Sequence, residues 1–148
     1  MDDLRFSQYG LLAPRDEPYL LSLDDIRSQF GSANHSRRNI FQGFSAAVDN
    51  MLSSGVERIV VGGSFVSLKK HPRDADIAWW FNANINWQQL DDCFQQPHRR
   101  AARAKFLVDQ KIDGLRECAY EMSHEYFLRS NTRMPADSQT VGIVLVTY

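Results

Sequence analysis

Apolar positions recur at two spacings along this chain, and each spacing predicts a different element. Residues 1–21 scatter theirs among Gly10, Pro14 and Pro18, which reads as an extended arm laid over a core. At Ser22 the pattern changes. Ser22 followed three residues later by Asp25 has the form of a capping box, opening a helix from Leu23 to Phe30 that Gly31 would close. From about Asn34 to Ser53, Ile40, Phe41, Phe44, Val48, Met51 and Leu52 fall three and four apart, so a longer helix follows, ended by Gly55. Its polar back would carry Arg37, Arg38, Asn39 and Asp49, leaving one apolar stripe to cover a sheet.

Four β-rich runs supply that sheet: Glu57–Val61, Asp74–Phe81, Phe106–Asp109 and the closing VGIVLVT at 141–147. Between them, Asn86 would cap a helix from Trp87 to Phe94, and Pro97 would start another, PHRRAARAK. A helix from Leu115 to about Arg129 and a loop from Ser130 to Thr140 complete the reading. About four strands and four or five helices, only loosely alternating, predict a single α/β (α+β) domain: a mixed sheet with helices packed on it.

At 148 residues one core is expected, and 43% hydrophobic residues suffice to build it. A net charge of −1 excludes a global basic field for holding duplex nucleic acid, so any polyanion site must be local. No apolar run approaches the roughly 20 residues of a membrane-spanning helix, and the acidic start MDDLRFSQYG is unlike a signal peptide. Cys93 and Cys118 share no metal-ligand spacing with His35, His71, His98 and His124, and they read as small apolar residues. A soluble protein of the reducing cytoplasm, without membrane partners, is the expectation.

The chemistry gathers where the first predicted strand ends. Gly62-Gly63-Ser64 follows it, then a basic stretch with Lys69, Lys70, His71 and Arg73, then Asp74-Ala75-Asp76 at the start of the next strand. In a strand, residues i and i+2 share a face, so Asp74 and Asp76 set two carboxylates side by side. Two crowded like charges call for a cation or a proton between them, and hard oxygen ligands in this arrangement suit magnesium. A third acid would complete a two-metal site; Asp109 is the candidate and Asp113 the reserve. Gly62 and Gly63 let backbone N–H groups approach a phosphate, with the Ser64 hydroxyl beside them. Lys69, Lys70 and Arg73 either neutralise a triphosphate or solvate a loop. The glycines match neither a P-loop nor a dinucleotide fingerprint. The run His98, Arg99, Arg100, Arg103 and Lys105 reads as an exposed helix face, with nucleic-acid binding the lesser alternative. Of adjacent Trp79 and Trp80, one should be core and the other should line a cleft or an interface.

The run VVGGSFVSLKKHPRDADIAWWF resembles the signature of the polymerase-β-like nucleotidyltransferase superfamily: a strand, Gly-Ser, about ten residues, Asp-x-Asp and a later acid. The arm with GLLAP, the helix pair, the GGSFV turn and the closing GIV strand together resemble an uncharacterised bacterial family of small stand-alone proteins of that fold. The resemblance implies that Gly63 and Ser64 hold nucleotide phosphates and that Asp74 and Asp76 bind metal, with Asp109 as the third carboxylate. Phe65 and Val66 depart from it, standing where many members carry arginine or another polar residue.

The function implied is transfer of a nucleoside monophosphate from a nucleoside triphosphate to a hydroxyl on a protein or RNA, with Mg2+ or Mn2+ as the cofactor. A toxin–antitoxin or phage-defence setting would fit. The chain leaves no room for a second helical domain, so a cognate partner protein or a homodimer mate would hold the acceptor. The alternative is an inactive binding module of the same fold, serving as an antitoxin or partner scaffold.

Overall fold

The computed structural model describes residues 1–95, 99–110 and 141–148. The elements, in chain order, are β1 (Tyr19–Ser22), α1 (Leu23–Phe30), α2 (His35–Ser53), β2 (Ile59–Gly62), a 3-10 turn at Gly63–Val66, β3 (Ala75–Trp79), α3 (Asp92–Gln95), α4 (Arg99–Phe106), β4 (Val108–Gln110) and β5 (Val144–Thr147). The strands form one mixed sheet in the order β1-β5-β2-β3-β4. β1 runs parallel to β5 and β4 parallel to β3, while β2 lies antiparallel to both β3 and β5. The α/β class with helices on a mixed sheet is therefore as the sequence implies.

Strand parity assigns the two faces. Ile59, Val61, Ala75, Ile77, Trp79, Val108, Val144 and Val146 join Ile26, Phe30, Ile40, Phe44, Val48 and Met51 in the main core, so α1 and α2 cover that face. Their alternates Val60, Ala78 and Leu145 belong to a smaller cluster on the other side, with Leu11, Trp80, Val141 and Ile143. Trp79 is thus the core tryptophan, and Trp80 packs partly buried on the second face.

The capping box forms as expected. Asp25 N–H donates to Ser22 Oγ at 3.1 Å, and Ser22 N–H donates to Asp25 Oδ2 at 3.0 Å. Asn34 caps α2 by accepting from Arg37 N–H at 2.9 Å.

Three expectations need correction. The arm is not free of regular structure, because its last residues form β1, a strand too short for a pattern to register; Phe6 and Leu12 also form an isolated antiparallel bridge. Among the described residues the sheet therefore has five strands. The expected helix Trp87–Phe94 shrinks to Asp92–Gln95: Asn86 Oδ1 does accept from Gln88 and Gln89 N–H, but this closes only a turn. Asp91 then restarts the chain, its N–H bound by Asn50 Oδ1 and its own Oδ1 accepting from Cys93 N–H. Finally, Phe106 ends α4 instead of starting a strand. It stacks on Phe94 with ring centroids 5.5 Å apart, and Leu107, at φ 54°, turns the chain into β4. The helix expected from Leu115, the loop after it, Asp113, Cys118 and His124 lie outside the described residues, as do Pro97 and His98.

Candidate functional site

One rung across the sheet builds the site. Gly62 on β2 pairs with Asp76 on β3, and Asp76 pairs with Asp109 on β4. Residues opposite one another on neighbouring strands point to the same face, and their Cβ atoms stand about 5 Å apart. Asp74, two residues before Asp76, joins them. Carboxylate oxygens from Asp74, Asp76 and Asp109 all lie within 4.8 Å of one another. They project away from α1 and α2, because their strand neighbours Ala75, Ile77 and Val108 fill the main core. Asp109 is only 9% exposed, and Oδ1 of Asp76 is withdrawn from solvent. The three acids that the sequence singles out are thus brought together.

Gly63 turns the chain at the end of β2 with φ +71°, a left-handed conformation that side chains disfavour. A Cβ at this position would also overlap Oδ2 of Asp76. The glycine bend therefore sits directly against a carboxylate of the cluster. Gly62 is buried behind it, and Ser64 follows half-buried in the 3-10 turn, its carbonyl accepting from Ser67 Oγ at 2.6 Å. Phe65 and Val66, the departures from the superfamily pattern, point into the core.

Lys69, Lys70 and Arg73 lie on the loop joining the Gly-Ser turn to Asp74, with exposed side chains. The loop backbone is held from beneath. Arg37 donates from Nη1 to the carbonyls of Phe30 and Phe65 at 2.9 and 2.8 Å, and from Nη2 to those of Ser67, at 2.8 Å, and Lys69. Asn34 Nδ2 donates to Lys70 O at 2.8 Å, and Ser36 Oγ to Pro72 O at 3.3 Å. From the N-terminal arm, Gly10 O accepts from Leu68 N–H at 2.8 Å.

Arg37 corrects the reading of α2. It is 4% exposed and lies beneath the loop, not on a solvated back. Burial pulls its pKa down from the usual arginine value, while four carbonyl partners favour the charged fork. Helical spacing offered no signal for it, because its partners are backbone atoms of a distant loop.

Arg103 lies on the exposed basic face that the sequence suggests, and from there it brings Nε to 3.3 Å from Asp74 Oδ2, a contact that periodicity does not signal. Lys105, on the same helix, is paired with Asp91. The Cys93 thiol is buried, and its pKa is pushed up to about 12, chiefly by that burial and then by Asp91, which fits an inert apolar role.

Among the described residues no helix is long and apolar enough to cross a membrane. The fold and site define an α/β protein with a carboxylate cluster at one end of a mixed sheet, beside a glycine bend. The chain belongs to a family of unknown function, DUF6932, which it matches over residues 4–147. No curated protein and no solved structure matches it.

Proposed function

We propose that this protein is a metal-dependent nucleotidyltransferase, moving a nucleoside monophosphate from a nucleoside triphosphate to a hydroxyl on a protein or RNA and releasing pyrophosphate. The observation that carries the reading is the meeting of Asp74, Asp76 and Asp109 beside the Gly63 bend, in the order and spacing of the superfamily signature. The donor set fits Mg2+ or Mn2+: every ligand is a hard carboxylate oxygen, and the three oxygens lie close enough to share an ion. Bound there, the metal supplies a lowered pKa for the acceptor hydroxyl and charge stabilisation for the leaving pyrophosphate.

The remaining work falls to the chain's own groups. Gly63 and Ser64 present backbone N–H groups and a hydroxyl to the phosphates. Arg37, Asn34 and Ser36 fix the loop that carries Lys69, Lys70 and Arg73, so these cations are pre-positioned to offset the charge on the leaving group. The acceptor hydroxyl loses its proton to water as its oxygen bonds to the α-phosphorus, and the bond from that phosphorus to the α–β bridging oxygen breaks, its electron pair leaving with pyrophosphate.

A scaffold reading has one observation in its favour. Arg103 already offsets the charge of Asp74, so the cluster can persist without metal. Two measurements decide. Labelled nucleoside triphosphates incubated with Mg2+, cell extract and total RNA should leave label on a macromolecule with the parent and none with Asp76→Asn, both folded. Equal labelling by the two would refute the assignment. Thermal shift with each nucleoside triphosphate and Mg2+ should raise the melting temperature of the parent by mass action, and no shift at millimolar ligand favours the scaffold.

A further inference from the structure

Arg103 occupies a place that the proposed chemistry leaves unassigned. It sits on α4, the helix just before the strand that carries Asp109, and the left-handed turn at Leu107 brings that helix back beside the carboxylates. The ion pair with Asp74 is asymmetric: the aspartate side chain is 14% exposed and the arginine side chain 48%. The carboxylate is recessed and held beside a strand, while the cation reaches it from solvent on a long stem. Closest approach is through Nε at 3.3 Å, longer than the roughly 2.7–2.9 Å of a well-formed charge-assisted hydrogen bond. This is a loose contact that a stronger cation can replace.

We propose that Arg103 is an exchangeable counter-cation: it holds Asp74 until a divalent ion takes that carboxylate, and it then turns its fork to the triphosphate. The inference rests on the metal-dependent reading above and adds a residue to it. Electrostatics favour the exchange. Arg103 contacts Asp74 alone, whereas a divalent ion would be shared by oxygens of all three acids, which lie within 4.8 Å of one another. Once displaced, the guanidinium stays within a side-chain length of the site, and its planar fork matches phosphate oxygens bidentately. Lys105, on the same helix, is paired with Asp91 instead. Metal and nucleotide binding are thereby coupled, since the ion frees the group that binds the phosphates.

The test uses the full chain, with Mn2+ binding followed by the loss of the free-ion EPR signal and inorganic tripolyphosphate as the anion probe. Arg103→Ala and Arg103→Gln should both bind Mn2+ more tightly than the parent, by about fivefold, the upper range for a solvent-accessible ion pair. With Mn2+ saturating, both should bind tripolyphosphate about tenfold more weakly than the parent, as expected for loss of one bidentate arginine contact. Arg103 is half exposed, and urea midpoints for the two variants report whether either has lost its fold. Unchanged Mn2+ affinity in both folded variants, or unchanged tripolyphosphate affinity, overturns the role of Arg103 and leaves the metal site standing. Failure of the parent and both variants to bind Mn2+ overturns the metal-dependent reading itself. Binding by the variants but not by the parent supports the exchange.

Discussion

Replacing Arg37 with methionine removes a buried guanidinium fork while keeping most of the side-chain length. Four carbonyls, from Phe30, Phe65, Ser67 and Lys69, then lose a donor. The bonds to the first three are buried, and a stranded buried acceptor costs about 1–3 kcal/mol. Lys69 O is partly accessible and can turn to water, and methionine spares the desolvation of a charge. The net loss should be about 3–5 kcal/mol, a large share of the roughly 5–15 kcal/mol that holds a domain together. At this size the melting temperature should drop by roughly 10 °C. Arg37→Lys keeps a charge but offers a compact ammonium where a fork spans four acceptors, so it should recover no more than about half of the loss. Urea unfolding measures both variants. A methionine variant within about 1 kcal/mol of the parent would show that the loop does not depend on this clamp. So would a lysine variant indistinguishable from the parent.

Gly63→Ala forces a Cβ into a backbone of φ +71° and against Asp76 Oδ2. It should destabilise by about 1–2 kcal/mol and, on the metal-dependent reading, weaken Mn2+ binding by moving that carboxylate; unchanged affinity would separate the glycine from the carboxylate cluster. On the acid side, backbone hydrogen bonds hold Asp2 (from Leu20) and Asp25 (from Ser22) below the ordinary aspartate pKa, with Arg15 and the Ser22 hydroxyl adding to the effect. Their contribution is complete above the unfolded-state value near pH 4 and is lost as pH falls through the lower folded values, because the unfolded chain there binds more protons. Stability measured from pH 6 down to pH 2 should fall, and Asp25→Asn should flatten that fall. A variant with the parent's slope would contradict the assignment.

The acids were legible in the sequence because a strand converts i, i+2 spacing into a shared face without further information. Asp109 was legible only as a candidate at the end of the run FLVD, whose first two residues prove to be the end of α4 and the turn into β4. What escaped depends on contacts distant in sequence. Arg37 lies on the third helical residue of α2, and only the loop descending over it makes that position interior. Arg103 sits on a helix rich in basic residues, and the turn at Leu107 decides that one of them reaches Asp74. β1 exists because β5 gives it a partner more than a hundred residues away, which no local pattern can signal. Asn86 shows the converse: its capping chemistry was read correctly, yet Asp91 and Asn50 redirected the chain before a helix could grow.

Because Gly62, Asp76 and Asp109 share a rung, the distances among the acids are set by main-chain pairing and not by a pliable loop. A slip of β4 by a single residue would put Val108 or Gln110 opposite Asp76 and send the apolar side chain toward water. Such a sheet tolerates no half-assembled cluster: the carboxylates are either in step or scattered, so on the metal-dependent reading proposed above Mn2+ binding should report the correct alignment of β4.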